Sequence, residues 1–292
     1  MTLSVVIITF NEEANLPRTL ESVKWADEII VVDSLSTDRT VEIAKSYGAK
    51  VFVEPWKGFA AQKNSALEKA SGDWILSLDA DEEVSQELQK ELRSLLDGTL
   101  TFETAKIKTR LEQEVNHPDA LVGLKPTSSH TELVKFSGFW IPRKNFFLSR
   151  WIRFGGFYPD RKLRFFRRGL AEFESRAVHE DIKFKRRDQE HTHITLELKS
   201  PLLHHAYPTL SSYIEHMNRY SSLGAKMAVD KGRDGFSFVN IVLRPIFTFI
   251  YNYFFRLGFL DGREGLLLHL YHSVYVSWKY AKAWELSREK QA

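Results

Sequence analysis

The sequence predicts an α/β fold: a mostly parallel sheet with helices on both faces, followed by amphipathic helices in the last third. Three observations predict it. Apolar runs of strand length alternate with segments of helical spacing through the first hundred residues. Polar residues recur just after those runs, and the chain from Ser237 to Trp284 is dense in Phe, Tyr, Leu, Ile and Trp. With 292 residues and 43% hydrophobic content the chain can bury a sizeable core.

The elements follow in order. "LSVVIITF" is a strand-length apolar run, and "NLPRTLESVKWA" puts Leu16, Leu20 and Val23 on one helical face. "EIIVVDS" is the second strand and "TDRTVEIAKSYG" the second helix, ended by Gly48. "AKVFVEP", "GFAAQKNSALEKASG" and "DWILSLDAD" complete strand, helix and strand. Continuous apolar strands between amphipathic helices mean a parallel sheet covered on both faces. In such sheets the ligand crevice lies beyond the carboxyl ends of the strands. Thr9, Asn11 and Glu12 follow the first strand, Asp33 and Ser34 the second, Asp79 and Asp81 the fourth. Singly, Asn11 and Asp38 read as helix caps and Asp33 as the start of a turn. Three polar strand ends together point to a binding crevice.

"SLDADEEV" crowds four acids into five positions, which costs free energy unless a positive charge sits among them. Asp79 and Asp81 are two apart, so in extended chain their side chains point the same way and suit a hard divalent cation, Mg²⁺ or Mn²⁺. Such an ion would also bind a diphosphate, for which the chain has no G-x-x-x-x-G-K loop. Glu82 and Glu83 read as first-turn acids of a helix, "EEVSQELQKEL", favoured by its dipole. His179, His204 and His205 lack metal-ligand spacing and read as structural.

Charge is unevenly spread. Residues 1–100 hold 10 Lys/Arg against 18 Asp/Glu, whereas residues 139–190 hold 14 against 7. The basic middle attracts anions, but it carries no nucleic-acid-binding motif, so the expected anion is not nucleic acid. Within it Arg161, Lys162, Arg164, Arg167 and Arg168 alternate with Leu163, Phe165 and Phe166 in a strand-like stretch, and Arg164 is the residue expected to contact an anionic acceptor. The absence of cysteine excludes disulfides, a thiol nucleophile and Cys-ligated zinc. "MTLSVVIITFNEE" lacks a basic n-region and reads as a first strand, so the expected compartment is the cytoplasm.

Taken together, "VVIITFNEE", "IIVVDSLSTDRT", "QKNSAL" and "WILSLDADE" resemble the nucleotide-sugar-binding half of glycosyltransferase family 2, with its GT-A fold and aspartate-any-aspartate motif. "GGFYPDRKLRFFRRGLAEFESRAVHE" and "RPIFTFIYNYFFRLGFLDGREGLLL" resemble the subgroup with bacterial lipopolysaccharide inner-core glucosyltransferases. The resemblance implies a metal-dependent, inverting transfer of glucose from UDP-glucose to a lipid-linked anionic acceptor. It places Asp33 at the uracil, Asp79 at the ribose and metal, and Asp81 at the metal and diphosphate. Thr9, Asn11, Glu12 and Lys63 would line the nucleotide side, and Glu180 of "VHED" would be the catalytic base, with Asp181 its rival. The implied organisation is a catalytic domain over 1–205, nucleotide-sugar half 1–100 and acceptor half 101–205, then a membrane-associating region over 206–292. Two departures stand out: Leu35 occupies a loop position that is glycine in many relatives, and 101–136 matches no block of the subgroup.

Other readings are a polyprenyl-phosphate glycosyltransferase, a sugar-nucleotide pyrophosphorylase and a non-catalytic nucleotide-binding scaffold. "TFNEEANLPR" lacks the Gly- and Arg-rich loop of the pyrophosphorylase, and Asp79, Asp81 and Glu180 together argue against the scaffold.

In the last third the uncharged run Pro245–Phe255 lies between Arg244 and Arg256. A spanning helix needs roughly 20 apolar residues, so the run is too short to cross a bilayer. Aromatics flanked by cations instead predict helices lying in the cytoplasmic leaflet of the inner membrane, or packing on the α/β domain or a second subunit. Pro245 is expected to start or kink the first of them, and Gly258 with "DGREG" to turn the chain into the next.

Overall fold

The computed structural model describes residues 1–99, 136–174, 182–185, 194–233 and 235–289. Four parallel strands form as the apolar runs predict: β1 (Leu3–Thr9), β2 (Glu28–Asp33), β3 (Lys50–Val53) and β4 (Trp74–Asp79). They lie in the order β3-β2-β1-β4, with Thr9 beside Asp33 and Asp33 beside Val53, so the strand ends are level. Helices α1 (Leu16–Val23), α2 (Thr40–Ser46) and α3 (Phe59–Glu68) connect them. β1, β2 and β4 are almost wholly buried, as strands covered on both faces must be.

After β4 the sequence reading needs correction. Glu82 does not open a helix. Glu82–Val84 forms a short strand, β5, and α4 (Gln86–Leu96) starts after Ser85, whose hydroxyl caps it by accepting from Leu88 N at 3.1 Å. A first-turn acid gains only about 0.3–1 kcal/mol from a helix dipole. Glu82 is instead fully buried among arginines, a stronger and non-local constraint.

β6 (Phe136–Phe147), β7 (Arg150–Trp151) and β8 (Asp160–Arg167) come next, and β8 runs antiparallel to β4 with Ile75 opposite Phe166 and Leu76 opposite Phe165. There Trp74 stacks on Phe165 at 4.7 Å, with Phe139 5.6 Å from Phe165. The remaining strands are β9 (Ala171–Phe173), β10 (Ile182–Phe184), β11 (Ile194–Glu197) and β12 (Leu202–Tyr207). β9 and β10 form a separate antiparallel pair.

The described residues within 1–143, 161–176 and 180–203 form one compact unit; those within 144–160 and 204–292 form a second. Residues 144–160, which the sequence places in the catalytic half, fall in the second unit because Phe147 and Ile152 pack with Tyr213 and Leu268 of its helices. Those helices are α5 (Leu210–Asp230), α6 (Arg244–Ile250) and α7 (Gly262–Glu289). Pro245 stands in the first turn of α6, the helix-start position expected of it. Wider π-type turns, Val239–Leu243 and Tyr251–Phe255, flank α6, and the Ile241 carbonyl, four residues before Pro245, accepts from Ser277 Oγ at 2.8 Å. The expected turn at Gly258 is present. A Cβ there would lie 2.3 Å from His269 Nε2, and one at Gly155 2.0 Å from His269 Cε1, so both glycines make room for one imidazole.

His269 has both ring nitrogens buried without a partner among the described residues. Burial and nearby His272 push its pKa down to about 4, against the opposing pull of Asp261. The fold therefore holds it neutral, whereas the unfolded chain protonates it near pH 6.5. Its contribution is complete above about pH 6.5 and is lost as pH falls toward 4. The melting temperature should drop across that interval, and His269→Gln should flatten the slope in a thermal-denaturation series.

Candidate active site

The loops after β1 and β2 are stitched together by polar side chains at the strand ends. Asp33, fully buried, accepts from Thr9 Oγ1 at 2.9 Å, from Ser36 N at 2.8 Å and from Ser36 Oγ at 2.5 Å. Asn11, at φ 55°, donates its backbone N–H to Ser36 Oγ and accepts from Thr37 N, both at 2.8 Å. It therefore links two loops and does not cap α1. Asp38 accepts from Thr40 N at 3.0 Å at the start of α2 and from Glu13 N at 3.1 Å, so its cap-like role also ties the loops together. Leu35 adopts φ 63° with its side chain exposed, the conformation glycine takes without cost. A residue with a Cβ there costs roughly 1–2 kcal/mol, which the hydrogen-bonded loop offsets.

The acids of "DADEE" separate. Asp79 Oδ1 accepts from Lys63 Nζ at 2.8 Å, and Asp79 Oδ2 is bound by Arg164. The same Arg164 Nη2 lies 2.8 Å from Glu82 Oε1, as does Arg143 Nη1, and Glu82 Oε2 accepts from Asp79 N at 3.0 Å. Burial would raise the Asp79 carboxyl, but Arg164, Lys63 and Arg143 hold it well below the usual carboxylate range. Burial likewise disfavours the Arg164 charge, and Asp79 and Glu82 more than restore it. Glu83 lies 3.8 Å from Arg18. The charge balancing Asp79 and Glu82 thus comes from the protein itself. The sequence reading leaves Glu82 to a helix dipole and gives Arg143 no role.

Arg164 is buried, 5% exposed, with its guanidinium on Asp79 and Glu82. Its β8 neighbours 163–166 are all buried, so the alternation expected along this stretch does not hold there. Lys63 is also buried and sits 5.2 Å from the centre of the Phe173 ring. Its neighbour Asn64 exchanges two hydrogen bonds with the Phe173 backbone, at 2.9 and 2.8 Å, which docks α3 on β9. Glu180 and Asp181 lie outside the described residues, as do His179 and 101–135.

The acids after the strands are oxygen donors of the kind a hard divalent cation takes. Glu12 has its pKa raised by burial, with a hydrogen bond from Asn15 opposing, and further by the charges of Asp81, Asp38 and Asp79. Glu12 and Asp81 are therefore electrostatic neighbours. Asp79 already has a cation on each oxygen. Among the described residues no group of three or more His, Asp or Glu is arranged to hold a metal ion.

Residues 4–173 match the family model described as glycosyl transferase family 2. The chain belongs to that family. It is a glycosyltransferase, and its strand-end acids occupy the family's GT-A-like α/β domain. An uncharacterized glycosyltransferase of Rickettsia prowazekii is 30% identical over 99% of this chain and 89% of its own length. A lipopolysaccharide core biosynthesis glycosyltransferase of Rhizobium meliloti, LpsC, is 29% identical over 97% of this chain and 92% of its own. Among solved structures, the glucosyl-3-phosphoglycerate synthase of Mycobacterium tuberculosis in complex with Mn²⁺, UDP and phosphoglyceric acid is 33% identical over 28% of this chain and 34% of its own, with a TM-score of 0.26.

Removing the Arg164 guanidinium leaves buried Glu82 facing the partly exposed Asp79, and breaking such a network costs about 3–5 kcal/mol. Arg164→Met should lower unfolding stability by that amount in urea denaturation. Adding Glu82→Gln should recover part of the loss, because the repulsion then falls.

Proposed function

We propose that this glycosyltransferase is a metal-dependent, inverting enzyme that moves glucose from UDP-glucose to a lipid-linked anionic acceptor of the lipopolysaccharide inner-core type. The observation that carries the reading is the set of polar strand ends: Asp33 bonded to Thr9, Glu12 electrostatically coupled to Asp81, and Asp79 fixed by Lys63 and Arg164. Chain-long similarity to the lipopolysaccharide core enzyme supports the acceptor class. Asp33 faces the uracil once Ser36 yields one of its bonds, and Asn11 holds the loop that closes on the nucleotide. Asp81, with Glu12 near it, would hold Mg²⁺ or Mn²⁺, which would supply counter-charge to the leaving diphosphate. Lys63 and Arg164 orient Asp79 toward the ribose.

In the transfer the acceptor hydroxyl oxygen forms a bond to the anomeric carbon as the bond from that carbon to the diphosphate oxygen breaks. The hydroxyl proton passes to a carboxylate, Glu180, with Asp181 the alternative. In sequence they stand two and one residues before Ile182, which pairs with Phe173, the residue whose ring packs on Lys63. That placement of Ile182 supports a base from this segment.

The second unit supports a peripheral position on the cytoplasmic face of the inner membrane. Among the described residues no helix is long and apolar enough to cross a membrane. Yet among the described residues fifteen of the twenty-one exposed large hydrophobic side chains lie between Phe236 and Leu270, including Phe247 at 66% and Phe255 at 74% exposure. A patch of this kind marks an interaction surface. Arg244 and Arg256 lie near its aromatic rings, at 5.4 Å from Tyr280 and 5.9 Å from Tyr251, a pairing suited to the headgroup region. The rival occupant is a second copy of the chain.

A donor screen reading nucleotide release with truncated inner-core acceptors tests the reaction itself; release with no donor–acceptor pair overturns it. Asp81→Asn and chelation with EDTA should each cut turnover by about 10²–10³-fold and weaken UDP binding. Glu180→Gln should keep UDP-sugar affinity while losing most of kcat, since the interaction removed matters only as the proton moves. The same profile in Asp181→Asn alone would move the base by one residue. Phe247→Ser with Phe255→Ser should abolish flotation of the full chain with anionic liposomes, whereas unchanged flotation would remove these rings from the contact.

A further inference from the structure

The β6–β7 hairpin turns at Leu148 and Ser149, both at positive φ (50° and 64°), and sets Phe146 opposite Trp151. Ile152 N donates to Asn145 O at 3.0 Å, so the ribbon continues past β7 and carries Lys144 on one strand and Arg153 on the other. Both cations converge on one ring. Lys144 Nζ lies 4.6 Å and the Arg153 guanidinium 5.7 Å from the centre of Trp151, while Tyr158 stands edge-on to that ring at 5.3 Å.

Neither cation has a carboxylate partner among the described residues. The nearby acids are otherwise engaged: Asp261 accepts from the backbone N–H of Arg153 at 3.1 Å and of Phe154 at 2.8 Å, and Asp160 accepts from Asn145 at 3.3 Å. Glu264 lies 3.7 Å from Arg150. The Trp151 indole N–H is buried and has no acceptor among the described residues. A ring attracts each exposed cation by only about 0.5–1 kcal/mol, and the two cations repel each other. An anion bound by both offsets that repulsion.

The basic stretch on which the sequence focuses attention is differently placed. Arg164 is buried on Asp79 and Glu82, Arg161 pairs with Glu197 at 2.6 Å, and Arg168 donates to the Gly72 carbonyl at 2.9 Å. We infer that Lys144, Trp151 and Arg153 form a binding site for a phosphate oxyanion, carried either by the glycolipid acceptor or by a membrane headgroup. A phosphate monoester carries about −1.5 to −2 charges and three strong acceptor oxygens, which matches an ammonium beside a guanidinium better than a carboxylate does. The assignment deepens the transferase reading and rests on it for the source of the phosphate.

Calorimetric titration of the full chain with inorganic phosphate, with UDP present to fill the donor site, tests it. Lys144→Met with Arg153→Met should weaken phosphate binding by at least about tenfold, about 1.4 kcal/mol, because both cationic donors are lost. Lys144→Arg with Arg153→Lys should retain it, and UDP affinity should be unchanged in both, which separates loss of the site from loss of the fold. Equal phosphate binding by the wild type and the Met pair overturns the proposal. Flotation with phosphatidylcholine vesicles, with and without phosphatidylglycerol, then assigns the source. A Met pair that also loses its preference for the anionic vesicles places the site on headgroups; one that keeps that preference places it on the acceptor's phosphate. Failure of nucleotide release with every donor would overturn the transferase reading and leave the phosphate titration intact.

Discussion

The guanidinium of Arg164 is the constraint on which the catalytic unit depends. It is buried, and it bonds to Asp79 at the end of β4 and to Glu82 at the start of β5. Burying these charges separately would cost several kcal/mol each, so strand, turn and β8 must meet for any of them to be tolerated. Arg143 from β6 and Lys63 from α3 complete the set. The antiparallel pairing of β8 on β4, the stack of Trp74 on Phe165 and the short strand at Glu82 therefore form one arrangement. Its consequence is a fixed Asp79, held ionised at the mouth of the crevice.

The nucleotide side is built on a different principle. Asp33, Asn11, Asp38 and Thr40 hold the loops by hydrogen bonds to backbone N–H groups and hydroxyls, without buried ion pairs. Such bonds contribute about 0.5–1.5 kcal/mol each and can be exchanged one at a time for bonds to a ligand. The charge network is rigid because losing one member strands another. The loops after β1 and β2 are the part of the site that can adapt, and Leu35 at positive φ sits at their tip.

The second unit solves a packing problem of its own. Small residues, Ala225, Ala228 and Ala283, bring α5 and α7 together, and Lys282 between them is coordinated by Asn218, Ser221 and Ser222, with no carboxylate among these oxygens. Around this pair the aromatics of 236–270 remain outside the core. A unit that leaves that much apolar surface uncovered is built to meet another apolar phase or another protein.

The parallel strands, their connecting helices and the polar groups at three strand ends were determined by the sequence alone, because periodicity and strand-end chemistry are local and read within a dozen residues. The same is true of the family, carried by four short blocks. Which acid does what was decided only by the tertiary structure. Glu82 reads as a helix-start acid until Arg143 and Arg164 are placed on it, and Arg164 reads as a surface cation until β8 is laid against β4. Lys144 and Arg153 look like two unremarkable charges until the hairpin folds both onto Trp151. A buried charge is defined by its partner, and these partners lie as far as 85 residues away along the chain. No local pattern encodes such a separation; only the register of strands brings it to bonding distance.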